Sequence, residues 1–257
     1  MQEGSIVKLI NWTDSMIKFP NLKKGEIGIQ VGFDLSSKNL TTDVIKMNYR
    51  TTNIGQVIAI DPDPFNHERL QPVIEQRGLN IKLIQKATYS HQTTDKLSMG
   101  HRSSHNKINS VQSENSSVLT DKVIEVELDT LDHIVEELGL DYDKIRHISI
   151  TNNGAEYETL LGMENILEKC EHVNLTIASG RPDKMGEINN KRDYEMVTEL
   201  LTKKGFTWKL LRINQSFWWG VIHNLLFKGR WLFNKKTFGV VMASRGERKI
   251  KFYQSFS

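Results

Sequence analysis

The chain predicts an α/β fold built on a parallel sheet, and three observations carry that prediction. Val57-Ile58-Ala59-Ile60 runs straight into Asp61-Pro62-Asp63-Pro64, an apolar and partly β-branched run stopped by an acid and two prolines. Three such β segments fall within about sixty residues, separated by helical patterns, as in successive βαβ units. A chain of 257 residues with 38% hydrophobic side chains is also long enough for one sizeable core. The Val57–Ile60 segment delivers the Asp61 carboxylate to the C-terminal edge of a sheet, where ligands of open α/β sheets bind. One βα unit after a glycine turn, a carboxylate suits a vicinal ribose diol, because it accepts two hydroxyl hydrogen bonds. The competing use of Asp61 is as a cap on the helix that starts at Phe65.

Residues 5–19 place Ile6, Val7, Leu9, Ile10, Met16, Ile17 and Phe19 at helical spacing up to Pro20. Residues 1–24 are therefore expected to form a covering helix on a domain spanning 25–257. Glu26 to Gly32 reads as the first strand and its turn, and Asp34, Ser36 and Ser37 are competent caps for a helix reaching about Tyr49. Gly32 at that junction lets backbone approach a ligand and leaves helix N–H groups free, although an ordinary turn has the same signature. Residues 65–77 follow as a helix stopped by Gly78, and Asn80 to Ala87 as a third strand. Residues 91–121 turn polar, which predicts a long loop serving as a lid or poorly ordered. His91, His101 and His105 lie in it without carboxylate or thiol partners, so no metal site is expected.

Val123 to Leu128 alternates as a half-exposed strand, and Thr130 opens a short helix from Leu131 to Leu138 closed by Gly139. Ile145 to Ile150 is the next buried strand. Residues 155–170 carry Tyr157, Leu160, Leu161, Met163, Ile166 and Leu167 on one helical face. Val173 to Ala178 is a fifth core strand, residues 193–204 a helix closed by Gly205, and Phe206 to Ile213 and Thr237 to Ala243 the last two strands.

One cysteine, Cys170, excludes a disulfide framework and a cysteine zinc cage, and fits a reducing compartment. No basic-then-apolar leader opens the chain and no apolar run approaches a membrane span, so a cytoplasmic location is expected. The formal charge of +3 is unevenly placed. Residues 214–257 hold Lys228, Arg230, Lys235, Lys236, Arg245, Arg248, Lys249 and Lys251 against Glu247, leaving the body net acidic. Within 214–236, Phe217, Trp218, Val221, Ile222, Leu225, Leu226 and Trp231 can share one face opposite Lys228 and Arg230. An amphipathic insertion of that kind suits a peripheral contact with an anionic membrane surface, a homo-oligomer contact or lid, or a core helix, and the three stay open. Nucleic-acid binding is disfavoured by the acidic body and the lack of a recognition motif.

The order of these segments resembles the FkbM-type S-adenosylmethionine-dependent methyltransferases from about Glu26 to Ile213. The matching parts are the Val57–Pro64 strand, the Asn80–Ala87 strand, Leu128-Asp129-Thr130-Leu131-Asp132, and Ile148-Ser149-Ile150-Thr151-Asn152-Asn153-Gly154-Ala155-Glu156. The third is similar to the family's "TLD" and the fourth to its "KIDVEGAE". The resemblance implies a Rossmann-like class I methyltransferase sheet, doubly wound, seven-stranded and mostly parallel, with an antiparallel last strand. It implies S-adenosyl-L-methionine held by Gly32, Phe33, Asp34 and Ser36, with ribose at Asp61 and Pro62 and adenine at Lys86, Ala87 and Thr88. The implied chemistry is methyl transfer to a hydroxyl of a sugar or glycosylated metabolite, and the amphipathic basic C-terminal region adds a lipid-linked glycan as an acceptor. This chain departs from the pattern at Phe33 and Ser36, and the aspartate and glutamate of "KIDVEGAE" become Thr151 and Asn153.

Those departures bear on catalysis. Thr151 and Asn153 can orient an acceptor but cannot take its proton at neutral pH. Glu156 is the candidate base; on the first turn of a helix, the dipole favours its ionised form, and its other use is to cap that turn. A catalytically decayed protein of the same fold, kept as a binding or assembly module, is the alternative these substitutions support.

Overall fold

The structure, a computed structural model, describes residues 23–33, 44, 55–101, 106–111, 119–178, 193–213 and 238–246. The expected N-terminal helix, Asp34, Ser36, His105 and the 214–236 segment lie outside these residues. Strand β1 (Ile27–Val31) is buried along its whole length, as a central parallel strand must be. It pairs in parallel with β2 (Gln56–Ile60). Helix α1 (Pro64–Arg77) follows, capped by Asp63, whose carboxylate accepts the Phe65 N–H at 3.0 Å. The capping role open to Asp61 thus falls to Asp63, two residues later. β3 (Ile81–Ile84) adds to the outer side of β2.

The strand expected over 80–87 is divided. Ala87–Thr88 becomes β4, which leaves the large sheet and pairs with Leu128 and Asp129. The expected polar loop over 91–121 is corrected as well. Thr93–Gly100 is β5 and Lys107–Ile108 is β6, and both join β7 (Leu119–Asp129) in a four-stranded sheet ordered β4-β7-β5-β6. That sheet buries only a small patch, Ala87, Leu97, Ile108, Val126 and Leu128 against Ala155. One thin apolar side lets the other stay polar, so β5 shows alternation only at Leu97 and Met99, too few positions to set a period.

Helix α2 (Leu131–Glu137) is capped by Thr130, whose hydroxyl accepts the His133 N–H at 3.1 Å. β8 (Ile145–Ile150) pairs in parallel with the other side of β1. The single helix expected over 155–170 is two, α3 (Glu156–Leu161) and α4 (Glu164–Lys169). They break at Gly162, where a Cβ would stand 2.0 Å from the Tyr89 carbonyl oxygen. The second sheet presses on the chain at that point, and Asp132 restarts the helix by accepting the Asn165 and Ile166 N–H groups at 2.6 and 2.9 Å.

β9 (Asn174–Ile177), α5 (Asp193–Lys203), β10 (Thr207–Ile213) and β11 (Phe238–Ser244) complete the described chain. β11 runs antiparallel between β9 and β10, giving the order β10-β11-β9-β8-β1-β2-β3. This is the doubly wound, mostly parallel sheet with an antiparallel last strand. Alternation along β2 shows the two faces. Ile58 and Ile60 join a core with α2 to α5, while Val57 and Ala59 join Leu70, Val73 and Ile74 of α1 and the helical Val44. Arg245 locks the end of β11, donating to the carbonyls of Leu167, Cys170 and Lys204 and stacking over Phe206. No helix among the described residues is long and apolar enough to cross a membrane.

Candidate functional site

The strands β2, β1 and β8 end side by side, and their C-terminal edge gathers most of the described candidates. Gly32 turns there with φ +71°, donating its N–H to the Ile60 carbonyl at 2.8 Å. A Cβ at Gly32 would lie 2.4 Å from the Thr151 carbonyl oxygen, so glycine is required by the close approach of β1 to β8. Phe33 follows with its N–H on Asp61 Oδ2 at 3.0 Å. Its ring leaves the turn and packs in the α1-side core, with its centroid 5.8 Å from that of His67.

Asp61 is 8% exposed, and its carboxylate accepts three donors. Besides Phe33, the Asp63 N–H reaches Oδ1 at 2.9 Å and the Asn66 amide reaches Oδ1 at 3.1 Å. Burial pushes this carboxyl up to about 7, against the opposing pull of the hydrogen bonds from Phe33, Asp63 and Asn66. Pro62 sits half-buried beside it. Asn66 also donates to the Phe33 carbonyl at 2.9 Å, tying the turn to α1. Sequence reasoning missed it, yet a signal was present. Asn66 is in line with Leu70, Val73 and Ile74, a polar residue in an otherwise apolar stripe.

At the end of β8, Thr151, Asn153 and Glu156 come together, and each is engaged by neighbouring protein groups. The Thr151 hydroxyl lies 2.8 Å from the Gly32 carbonyl oxygen and receives the Gln30 amide at 3.2 Å. Asn153 adopts φ +57° and donates to the Asn106 carbonyl at 3.0 Å. Glu156, 3% exposed, accepts the Gly154 N–H at 2.8 Å across its own turn. Ala87 lies in the core of the second sheet. Thr88 faces α3, its hydroxyl 2.7 Å from that of Thr159, which also receives the Asn152 amide at 2.7 Å.

Beside this edge, Lys86 stands among Asp129, Glu127 and Glu137 at 2.9, 3.0 and 3.2 Å. Asp129, His133 and Glu137 bring one ligand atom each within 4.8 Å of one another, and the Lys86 ammonium supplies the positive charge there. Asp129 also holds His133 above the usual imidazole range.

The profile of the Methyltransferase FkbM domain matches residues 26–207. A crystal structure of methyltransferase FkbM from Methylobacillus flagellatus KT is similar at 12% identity and TM-score 0.51, over 89% of this chain and 45% of that one. The chain thus spans under half the length of that protein. A putative rRNA-methylase from Clostridium thermocellum is similar at 11% identity and TM-score 0.46, over 95% of this chain and 96% of that one. A precorrin-6y C5,15-methyltransferase from Geobacter metallireducens GS-15 is similar at 10% identity and TM-score 0.45, over 88% of this chain and 82% of that one. The first likeness speaks to fold alone, and the two weaker ones add nothing to it. No curated protein matches.

The edge is chemically suited to the implied cofactor. A carboxylate offers about four acceptor positions and Asp61 fills three. The buried Asn66 Oδ1 and Asn152 Oδ1 have no donor among the described residues. An edge with spare acceptors fits a nucleoside that brings hydroxyl and amino donors. Motif order, strand order and profile agree, and the chain belongs to the FkbM methyltransferase domain family, which implies S-adenosylmethionine as the cofactor.

Proposed function

We propose that the protein is an S-adenosylmethionine-dependent O-methyltransferase acting on a hydroxyl of a sugar or of a glycosylated, lipid-linked metabolite. The observation that carries it is the buried Asp61 carboxylate at the end of β2, held beside the Gly32 turn with an acceptor position open. In this reading Asp61 takes the ribose hydroxyls. Gly32, Phe33, Asp34, Ser36 and Pro62 line the cofactor's amino-acid and ribose side, and Ala87 and Thr88 its adenine side. The bound cofactor supplies a methyl group activated on a sulfonium, so the protein's task is mainly alignment for in-line displacement. Thr151 and Asn153 orient the acceptor hydroxyl, and Glu156 takes its proton once released from the Gly154 N–H. The basic, aromatic 214–257 region would bring the protein to an anionic membrane surface on the cytoplasmic side.

A second reading, a decayed binding module, is favoured by one specific observation: Thr151, Asn153 and Glu156 are all engaged by the protein itself. Calorimetry separates the possibilities. The parent chain is expected to bind S-adenosylmethionine and Asp61→Ala to lose at least tenfold in affinity; a parent that does not bind sinks the transferase reading. Formation of S-adenosylhomocysteine that depends on a glycan acceptor eliminates the decayed module.

A further inference from the structure

The second sheet is fastened across the cofactor edge at Asn106, which none of the motifs singles out. Asn106 is 8% exposed and makes three contacts that point in different directions. Its amide donates to Asp63 Oδ2 at 2.8 Å, its side-chain oxygen accepts the Gly100 N–H at 2.9 Å, and its backbone carbonyl accepts the Asn153 amide at 3.0 Å. The first contact lies past the end of β2, the last past the end of β8, and the middle one within the second sheet. β1 lies between β2 and β8, so the two anchors stand about 10 Å apart at the usual strand spacing, on either side of the Gly32 turn.

The Asp63 end leads directly to Asp61. Asp63 is 1% exposed and uses both carboxylate oxygens, Oδ1 on the Phe65 N–H and Oδ2 on Asn106. Its own N–H is one of the three donors that orient Asp61. Losing Asn106 leaves a buried carboxylate oxygen without its donor, which favours rotation of Asp63 toward water and moves its peptide. We propose that Asn106 is a positioning residue for cofactor binding: it clasps the four-stranded sheet over the sheet edge and, through Asp63, holds Asp61 in its binding orientation. This deepens the proposed function and rests on its assignment of Asp61.

Calorimetry with S-adenosylmethionine on four full-length proteins tests it, with amide hydrogen exchange at Asp63, Asn106 and Lys107 measured in parallel. Asn106→Ala removes both side-chain contacts. Asn106→Asp keeps the size and the acceptor for Gly100 but sets a second carboxylate against that of Asp63. Ser110→Ala is the control, because it loosens the same sheet by removing the 2.6 Å bond to Asp95 without touching the clasp. Expected are a tenfold or greater loss of affinity in both Asn106 variants, faster exchange at the three amides, and a Ser110→Ala affinity within twofold of the parent. Parent-like affinity in folded Asn106→Ala or Asn106→Asp overturns the positioning role and leaves the transferase reading standing. So does an equal loss in Ser110→Ala, which marks general loosening. A parent that does not bind, whatever its exchange rates, overturns the functional reading itself.

Discussion

Asp61 and His147 are both buried, and burial moves them in opposite directions. The Asp61 carboxyl rises from 3.8 to about 7, while the His147 imidazole, enclosed in β8, falls from 6.5 to about 3. Between about pH 4.5 and 6, folded Asp61 holds a proton that the unfolded chain has lost, so its contribution to stability declines as pH rises. In the same window folded His147 lacks a proton that the unfolded chain holds, so its contribution declines as pH falls. One full proton corresponds to about 1.4 kcal/mol per pH unit, and the two slopes oppose each other. Urea unfolding across this window should show Asp61→Asn gaining stability with pH relative to the parent and His147→Gln losing it. Parallel curves for all three proteins would refute the assignment. At this scale the sequence exposed what punctuation marks, Asp61 after an apolar run and Gly32 at a turn. It hid Asn106 and Asn152, whose partners lie on other elements and leave no local pattern, and it marked Asn66 only as a polar break in an apolar stripe.

Helices show how capping can cross from one element to another. Thr130 caps its own helix, as the spacing predicts, whereas Asp132, in the first turn of α2, caps α4 from 33 and 34 residues away. Removing it strands two N–H groups at the start of a six-residue helix. Asp132→Ala is therefore expected to lower stability by about 1–2 kcal/mol, read as a lower urea midpoint at unchanged slope. A midpoint within error of the parent would show that α4 forms without this cap. The apolar face running from Tyr157 to Leu167 was legible as helical. The break at Gly162 was not, because its cause is the Tyr89 carbonyl, brought in by the second sheet.

The large sheet is the part of the whole molecule that the sequence spells out: β2 carries the continuous apolar run Val57–Ile60, β1 returns Ile27, Ile29 and Val31 at every second position, and β8 carries Ile145, Ile148 and Ile150. Of the small sheet, the alternating Val123–Leu128 within β7 was legible, while β5 and β6, fed by a few apolar residues, escaped. The two sheets are joined through Thr159, whose hydroxyl meets Thr88 and Asn152. Thr159→Val keeps the shape but removes the 2.7 Å partner of both groups, leaving the Asn152 amide only its 3.3 Å contacts with the Thr88 hydroxyl and the Ala155 carbonyl, at a cost of about 1–3 kcal/mol. Hydrogen exchange should quicken in β4 and β7 well before β1 and β8; uniform quickening would mean that the sheets open as one unit.

The insertion of β11 between β9 and β10 has a consequence for synthesis. The strands it separates are both complete by residue 213, but neither is adjacent to the other, and the slot between them is filled only by residues 238–244. A nascent chain emerging from the ribosome therefore carries two open strand edges until residue 244 is clear of the exit tunnel. Arg245, arriving next, then secures the finished sheet to the carbonyls of Leu167, Cys170 and Lys204.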